Sequence, residues 1–398
     1  MNTLLDTRTT QLALELTPYA VELRHKIHEQ PELGMKEVNT TQIVKRELEA
    51  MGVEILDLGM EVGCVALIHG TGQGQGKVIG LRADMDALPM QDLCGKPWAS
   101  KVEGTAHTCG HDAHTAALLA AAKGLMTLRD SFSGTVKLLF QPAEETFAGA
   151  KYMISHGAME NPAMDMLTAL HGTPAYHLGQ YAVASGKIMA SADEYHITFL
   201  GKSAHASRPV EGRNALLAAA HAIIALQEIV PNEVKSIEEA VVNTCVLESG
   251  MASNIVPDRA VISGTVRCMD PEVRKTLEAA IRRIAEASAA LCACGVEIDY
   301  LHGTDAVIND EETVNTITAA VSKLVGRENV VRLKSLLGGE DFSFYRPYVE
   351  HIAFYRVGTG TPEEGPVYQL HNAHYDTNDE MLAYCIAAHI QSVLDVNG

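Results

Sequence analysis

The stretch TGQGQGKVIGLRADMDALP, Thr71 to Pro89, decides the fold class by the way it leaves its glycines. A phosphate-binding loop needs Gly, four residues, then Gly-Lys and a Ser or Thr at the head of a helix. Here Lys77 runs into VIGL, an apolar run that reads as a strand and ends on Asp84 and Asp86. The glycines therefore read as a flexible hairpin loop, joining this strand to the preceding one, GCVALIHG. In an open α/β sheet, ligands gather outside the carboxyl ends of the strands, which makes the ADMD end of this strand the first place to look for chemistry.

Working outward, apolar residues recur at helical spacing from Thr10 to His28, where Pro31 and Gly34 stop the helix, and again from about Thr40 to Met51. Beyond the strand come a helix over Thr115 to Arg129, the strand TVKLLF, a helix over Ala148 to His156 and the strand MLTAL. Strands alternating with helices predict an α/β fold, a mixed sheet with helices on both faces. From about Ala192 the rhythm changes to EYHITFLG, a helix over Asn214 to Ile229, AVVNTCVL, RAVISGTVR, a helix over Glu272 to Cys292, and VEIDYL. That βαββαβ order is a ferredoxin-like α+β unit. The α/β pattern then resumes with a helix over Glu311 to Leu324, the turn LLGGEDF, the strand HIAFYRVG and a closing helix from Asp379. The expected organisation is a catalytic domain in two parts, residues 1–187 and 304–398, with a smaller domain inserted over residues 188–303.

Composition bounds the function. With 31 Lys+Arg against 50 Asp+Glu, the formal charge of -19 repels phosphate backbones and anionic lipid, so neither nucleic acid nor membrane is an expected partner. Eight scattered cysteines in 398 residues lack the density of a disulfide-stapled secreted domain. The N-terminus shows no basic region followed by an apolar core, and the expected location is the cytoplasm.

The chemistry-bearing residues fall at strand ends. LLFQPAEE closes on Glu144 and Glu145, MLTALHG reaches His171, and HTCGHDAHT places Cys109, His111 and His114 just ahead of the expected helix. Cys109 and His111 alternate in an extended piece and can face one point, a pair that zinc-like ions accept, although two such residues equally suit a buried thiol beside capping groups. Adjacent glutamates point apart, so one can hold an ion while the other serves as general base. Farther on, HNAHYDTNDE offers His371 and His374, one of which can close the site.

RHKIHEQPELG, GLRADMDALPM, HTCGHDAHT, FQPAEE, LHGTP, GKSAHASRP, SNIVPDRAVISGTVR, GGEDFSFY and HNAHYDTND together resemble the M20 metallopeptidases. Within them they resemble the amidohydrolase branch of hippurate hydrolases, N-acyl-amino-acid amidohydrolases and auxin-conjugate hydrolases. The resemblance implies two divalent ions per subunit, Zn²⁺ or Mn²⁺ with Co²⁺ and Ni²⁺ also suited, held by Cys109, His111, Glu145, His171 and His371. It implies Glu144 as base, Asp84 and Asp112 as groups that orient imidazoles, and Arg82 where other M20 enzymes place a metal-binding His. On the inserted lid and dimerisation domain it implies His205 as an oxyanion donor, Asn254 and Arg267 as grips for a substrate carboxylate, and assembly as a homodimer or higher homo-oligomer. Val210, Asn214 and Ala373 depart from the residues common in the family. The implied reaction is hydrolysis of a small-molecule N-acyl amino acid to a carboxylic acid and a free amino acid. A dipeptidase or aminopeptidase on the same scaffold, and a metal-bound protein without turnover, are the competing readings.

Overall fold

A computed structural model describes residues 4–361 and 368–398. The chain divides into two compact units, one made of Met1–Gly186, Ile308–Lys334 and Phe344–Gly398, the other of Lys187–Val307 and Ser335–Ser343.

The first unit is built on an eight-stranded mixed sheet. Its order is Glu54–Ile55, Cys64–His69, Thr135–Gln141, Val78–Asp84, Met166–Thr173, His351–Gly358, Tyr181–Val183 and Val330–Arg332. The four central strands are almost wholly buried, which is why they read in the sequence as continuous apolar runs and not as alternation. Helices Arg8–His28, His111–Thr127 and Met381–Asn397 pack on one another, and Ala113, Ala116, Ala117 and Ala120 allow the middle one a close approach.

Two expectations fail here. Cys64–His69 and Val78–Asp84 are not hairpin partners, because Thr135–Gln141 lies between them, antiparallel to the first and parallel to the second. The loop between them is long enough to span that extra strand, and the glycine signal alone could not show it. The third long helix begins at His111, four residues before Thr115, so His111 and His114 lie on its first turn and not in an extended lead-in. Gly110 makes the turn at φ +88°, where a Cβ would come 3.0 Å from Thr377 Oγ1. The helix start was hidden because its buried first turn is polar, and an apolar periodicity begins only after it.

The second unit carries a four-stranded antiparallel sheet ordered Ala240–Ser249, Arg259–Cys268, Ser191–Leu200, Gly295–Thr304. This is the strand order of the ferredoxin-like unit. Tyr195, Ile197 and Phe199 alternate onto the face covered by helices Ala215–Leu226 and Pro271–Leu291, while their neighbours stay more accessible. Burying each such side chain contributes about 1.5–3 kcal/mol. Asp193, buried in that sheet, accepts from Arg274 Nε at 2.7 Å, Tyr300 Oη at 3.0 Å and the Gly303 amide at 3.1 Å.

Candidate metal centre

The parallel strands Val78–Asp84, Thr135–Gln141 and Met166–Thr173 end on one edge of the large sheet. Asp84 is paired with Gln141, and His171 lies two residues beyond Ala169, the partner of Arg82. One edge thus presents Asp84, the Glu144–Glu145 pair and His171, and the first turn of the helix from His111 is held against it.

Two imidazoles are aimed in the same way. His111 donates from Nδ1 to the Asp86 carbonyl at 3.0 Å, and His171 donates from Nδ1 to the Gly172 carbonyl at 2.6 Å. Each ring therefore presents an Nε2 lone pair, the arrangement a ligating histidine requires. His171 Nε2 sits 3.4 Å from Cys109 Sγ. His111 Nε2 is buried and makes no hydrogen bond. Around it stand carboxylate oxygens of Asp84 at 3.8 Å, Glu145 at 3.9 Å and Glu144 at 4.0 Å, too far to bond to the nitrogen.

The remaining donors fit a cation as well. Cys109, Glu145 and His371 bring ligand atoms to one point, and His371 Nε2 is 3.2 Å from Glu145 Oε1. His371 is held in place at φ +62°, with its amide donating to the Thr108 carbonyl at 2.8 Å. Burial pushes the Cys109 thiol up to about 12, with Glu145 adding to the shift, so only a bound cation would make it a thiolate near neutral pH. Burial acts to lower His111, but Asp84, Cys109 and Asp86 outweigh it and raise the imidazole well above its ordinary value. This donor set attracts positive charge, and a divalent ion at the His111 lone pair would satisfy an otherwise orphaned buried atom.

A family model for "Peptidase family M20/M25/M40" matches residues 80–395. The chain belongs to that family. It is 36% identical to the hippurate hydrolase of Campylobacter jejuni, covering 93% of this chain and 94% of that protein. It is 34% identical to IAA-amino acid hydrolase ILR1-like 4 of Arabidopsis thaliana, covering 93% and 84%. The crystal structure of the Bacillus subtilis YXEP protein, a dinuclear metal binding peptidase from the M20 family, superposes with a TM-score of 0.82 at 32% identity over 96% of this chain and 99% of that one. The chain is a metal-dependent amidohydrolase, and the cluster just described brings together residues that could hold a metal ion.

Within this M20 chain Asp84 and Asp112 each bond an imidazole. Asp84 accepts from His114 Nδ1 at 2.6 Å and from Arg82 at 2.5 Å, and although burial alone would raise it, the His111, His114 and Arg82 charges hold it well below the usual carboxylate range. Asp112 accepts from His28 Nδ1 at 2.8 Å and Arg24 Nε at 3.0 Å. The imidazoles these two aspartates bond are thus His114 and His28, not those of the expected ligands. The group that bonds the His111 ring is Asp86, which also accepts the amides of Glu144 and Glu145 at 3.0 Å each. Asp86 was visible only as the second acid of ADMD. His114 is no candidate ligand, since Nδ1 donates to Asp84 and Nε2 accepts from the Gly172 amide at 2.8 Å. His374 donates to the Leu93 carbonyl at 2.8 Å and takes no part in the cluster.

The remaining expected residues lie in the second unit. His205 is exposed, pairs with Ile255 in a short ladder, and its Nδ1 accepts from the Ser207 amide at 3.1 Å. That bond leaves the proton on Nε2. Asn254 adjoins it, its carbonyl accepting from the Ala206 amide at 2.9 Å. Arg267 is half-buried and donates to the carbonyls of Val266 and Asp193 at 3.1 and 3.3 Å.

Proposed function

We propose that this chain hydrolyses N-acyl amino acids to a carboxylic acid and a free amino acid, with Glu144 as general base and two divalent ions, Zn²⁺ or Mn²⁺, held by Cys109, His111, Glu145, His171 and His371. The observation that carries the reading is the orphaned His111 Nε2, ringed by carboxylates beside a buried thiol. The names of its relatives supply the substrate class, an acyl group joined to an amino acid.

When bound, the ions supply Lewis acidity, which acidifies water and polarises the amide carbonyl. Glu144 is nearly buried, and the Asp86 carboxylate fixes its amide, so the base enters each turnover already oriented. It takes the proton from the attacking water and returns it to the amide nitrogen as the C–N bond breaks, because an unprotonated amine anion cannot leave. His205, with Nδ1 occupied by Ser207, keeps an Nε2–H to donate to the oxyanion. Asn254 and Arg267 hold the amino acid's carboxylate.

The oligomer is part of the proposal. Ala240–Ser249 is an edge strand with Val246 and Leu247 exposed, which suits pairing with a second copy in a homodimer. All eight cysteines are free, in keeping with a cytoplasmic home, and no helix among the described residues is long and apolar enough to cross a membrane.

The test is a panel of N-acetyl, N-benzoyl and indoleacetyl amino acids beside dipeptides, run on stripped protein with Zn²⁺, Mn²⁺, Co²⁺ or Ni²⁺ restored. Acyl amino acids are expected to give the highest kcat/KM. Turnover confined to dipeptides would sink the proposal in favour of a peptidase, and no turnover with full metal would favour a binding protein.

A further inference from the structure

Three consecutive amides, those of Ala143, Glu144 and Glu145, all donate to carboxylates. Ala143 donates to Glu37 Oε1 at 2.7 Å, and the next two donate to Asp86 at 3.0 Å each. Ala143 has φ +52°, a left-handed conformation that costs a residue with a Cβ about 1–2 kcal/mol. Something must hold it there. Its carbonyl accepts from Ala148 at 3.2 Å and Gly149 at 3.1 Å, which fixes one side of the peptide. The other side is fixed by Glu37, whose Oε1 accepts from the Ala143 amide.

Glu37 is a residue that the reaction does not consume and that no catalytic role explains. It is fully buried at the start of helix Val38–Ala50, and its Oε2 makes no hydrogen bond. The segment before it is shaped to the same turn. A Cβ on Gly34 would stand 3.1 Å from Ala143 Cα, and the Glu32 carbonyl accepts from the Ala87 amide at 2.8 Å, one residue beyond Asp86. Burying a carboxyl with one oxygen unpartnered is costly. A fold with no use for it would place an apolar side chain here.

We propose that Glu37 is a positioning residue for the Glu144–Glu145 pair: it clamps Ala143 in the left-handed turn from which the two carboxylates diverge, one toward the attacking water and the other toward the metal. Glu37 and Asp86 together grip the turn by three successive N–H groups, an arrangement that suits negatively polarised oxygens. Burial, with Asp86 close by, pushes the Glu37 carboxyl up to about 7. The clamp needs an acceptor oxygen and not a charge, and either protonation form supplies one. The inference rests on the roles given above to Glu144 and Glu145.

The test compares Glu37→Gln, Glu37→Ala and Glu37→Asp by kcat and KM, by zinc uptake of the stripped protein against a chromophoric chelator, and by urea unfolding. Glu37→Gln keeps the acceptor and is expected to hold kcat and zinc affinity within about threefold of wild type, while Glu37→Ala lowers each by about tenfold or more with KM little changed. Glu37→Asp draws the acceptor back by about 1.5 Å and is expected to fall between them, which keeps the inference testable if the alanine variant does not fold. A folded Glu37→Ala with wild-type kcat and zinc uptake would overturn it, as would a Glu37→Gln as damaged as the alanine variant. If wild type turns over no acyl amino acid, the substrate reading fails, and the zinc comparison still decides the role of Glu37.

Discussion

His28 and His111 are both buried histidines flanked by aspartates, and their nitrogens end differently. His28 donates to Asp112 at 2.8 Å and to Asp92 at 3.2 Å, while Arg24 beside it spends its three nitrogens on Asp112, Asp376 and Asp379. Asp92 also receives the amides of Cys94 at 2.8 Å and Ser100 at 2.7 Å. Both nitrogens of His28 are thus already bonded. His111 has one nitrogen bonded and one bare, with oxygens of three carboxylates standing 3.8 to 4.0 Å from it. Both regions bring His, Asp and Cys ligand atoms together. Burial and residue type therefore do not separate these two histidines; the bonding of their nitrogens does.

The largest effect should come from Glu144→Gln, which keeps the shape of the base and removes its ability to take a proton. We expect kcat to fall by about a hundredfold to ten-thousandfold with full metal content. Near wild-type turnover in a fully loaded variant would remove Glu144 from the mechanism. Next comes the brace. Arg24→Met strands three aspartates, and breaking a buried pair in this way costs about 3–5 kcal/mol. Urea unfolding should show that loss, while zinc uptake per folded molecule stays unchanged. A variant of normal stability that has lost its zinc would reverse the roles of the two regions.

The contrast between the regions also explains what the sequence disclosed. That Cys109, His111, Glu145, His171 and His371 come together was legible because chemistry-bearing residues at strand ends and at a helix start share one edge of an α/β sheet, and because nine motifs resemble a family in order. Which atom each one offers was not legible. The sequence assigns His114 no role, and the Asp84 carboxylate on its Nδ1 and the Gly172 amide on its Nε2 show that both nitrogens are occupied. Asp86 was one acid of two in ADMD, and its hold on three neighbours depends on the left-handed turn at Ala143, which no residue type announces. The brace was invisible for another reason: Arg24 meets Asp376 and Asp379 across some 350 residues, which no local pattern encodes.

Cys109→Ser sharpens the metal side of the comparison. A hydroxyl stays protonated near neutral pH and is a harder donor than sulfur, so one of the two ions should bind about ten- to a hundredfold more weakly while the other is retained. Dialysis against a graded chelator followed by metal analysis reads this directly. Two ions held as tightly as in wild type would make Cys109 a packed thiol.

The smallest effect tests whether His28 carries a charge. Burial acts to lower its pKa, but Asp112 and Asp92 prevail and raise it from 6.5 to about 11. A raised folded-state value means that the folded protein holds a proton which the unfolded chain gives up, so the contribution to stability is full below about pH 6.5 and drains away as pH climbs toward about 11. Asp112 is held below the ordinary carboxylate range against its own burial by Arg24 and His28, and Asp92 likewise by His28 and the Ser100 amide, so their contributions are lost only in acid. Of these three groups only His28 titrates above pH 5. His28→Gln keeps a polar group in the brace and removes the titrating proton. Urea midpoints measured from pH 6 to pH 9.5 should therefore show the wild-type advantage shrinking steadily as pH rises. An advantage constant over that range would mean that His28 is neutral in the folded protein, and that the brace is held by Arg24 alone.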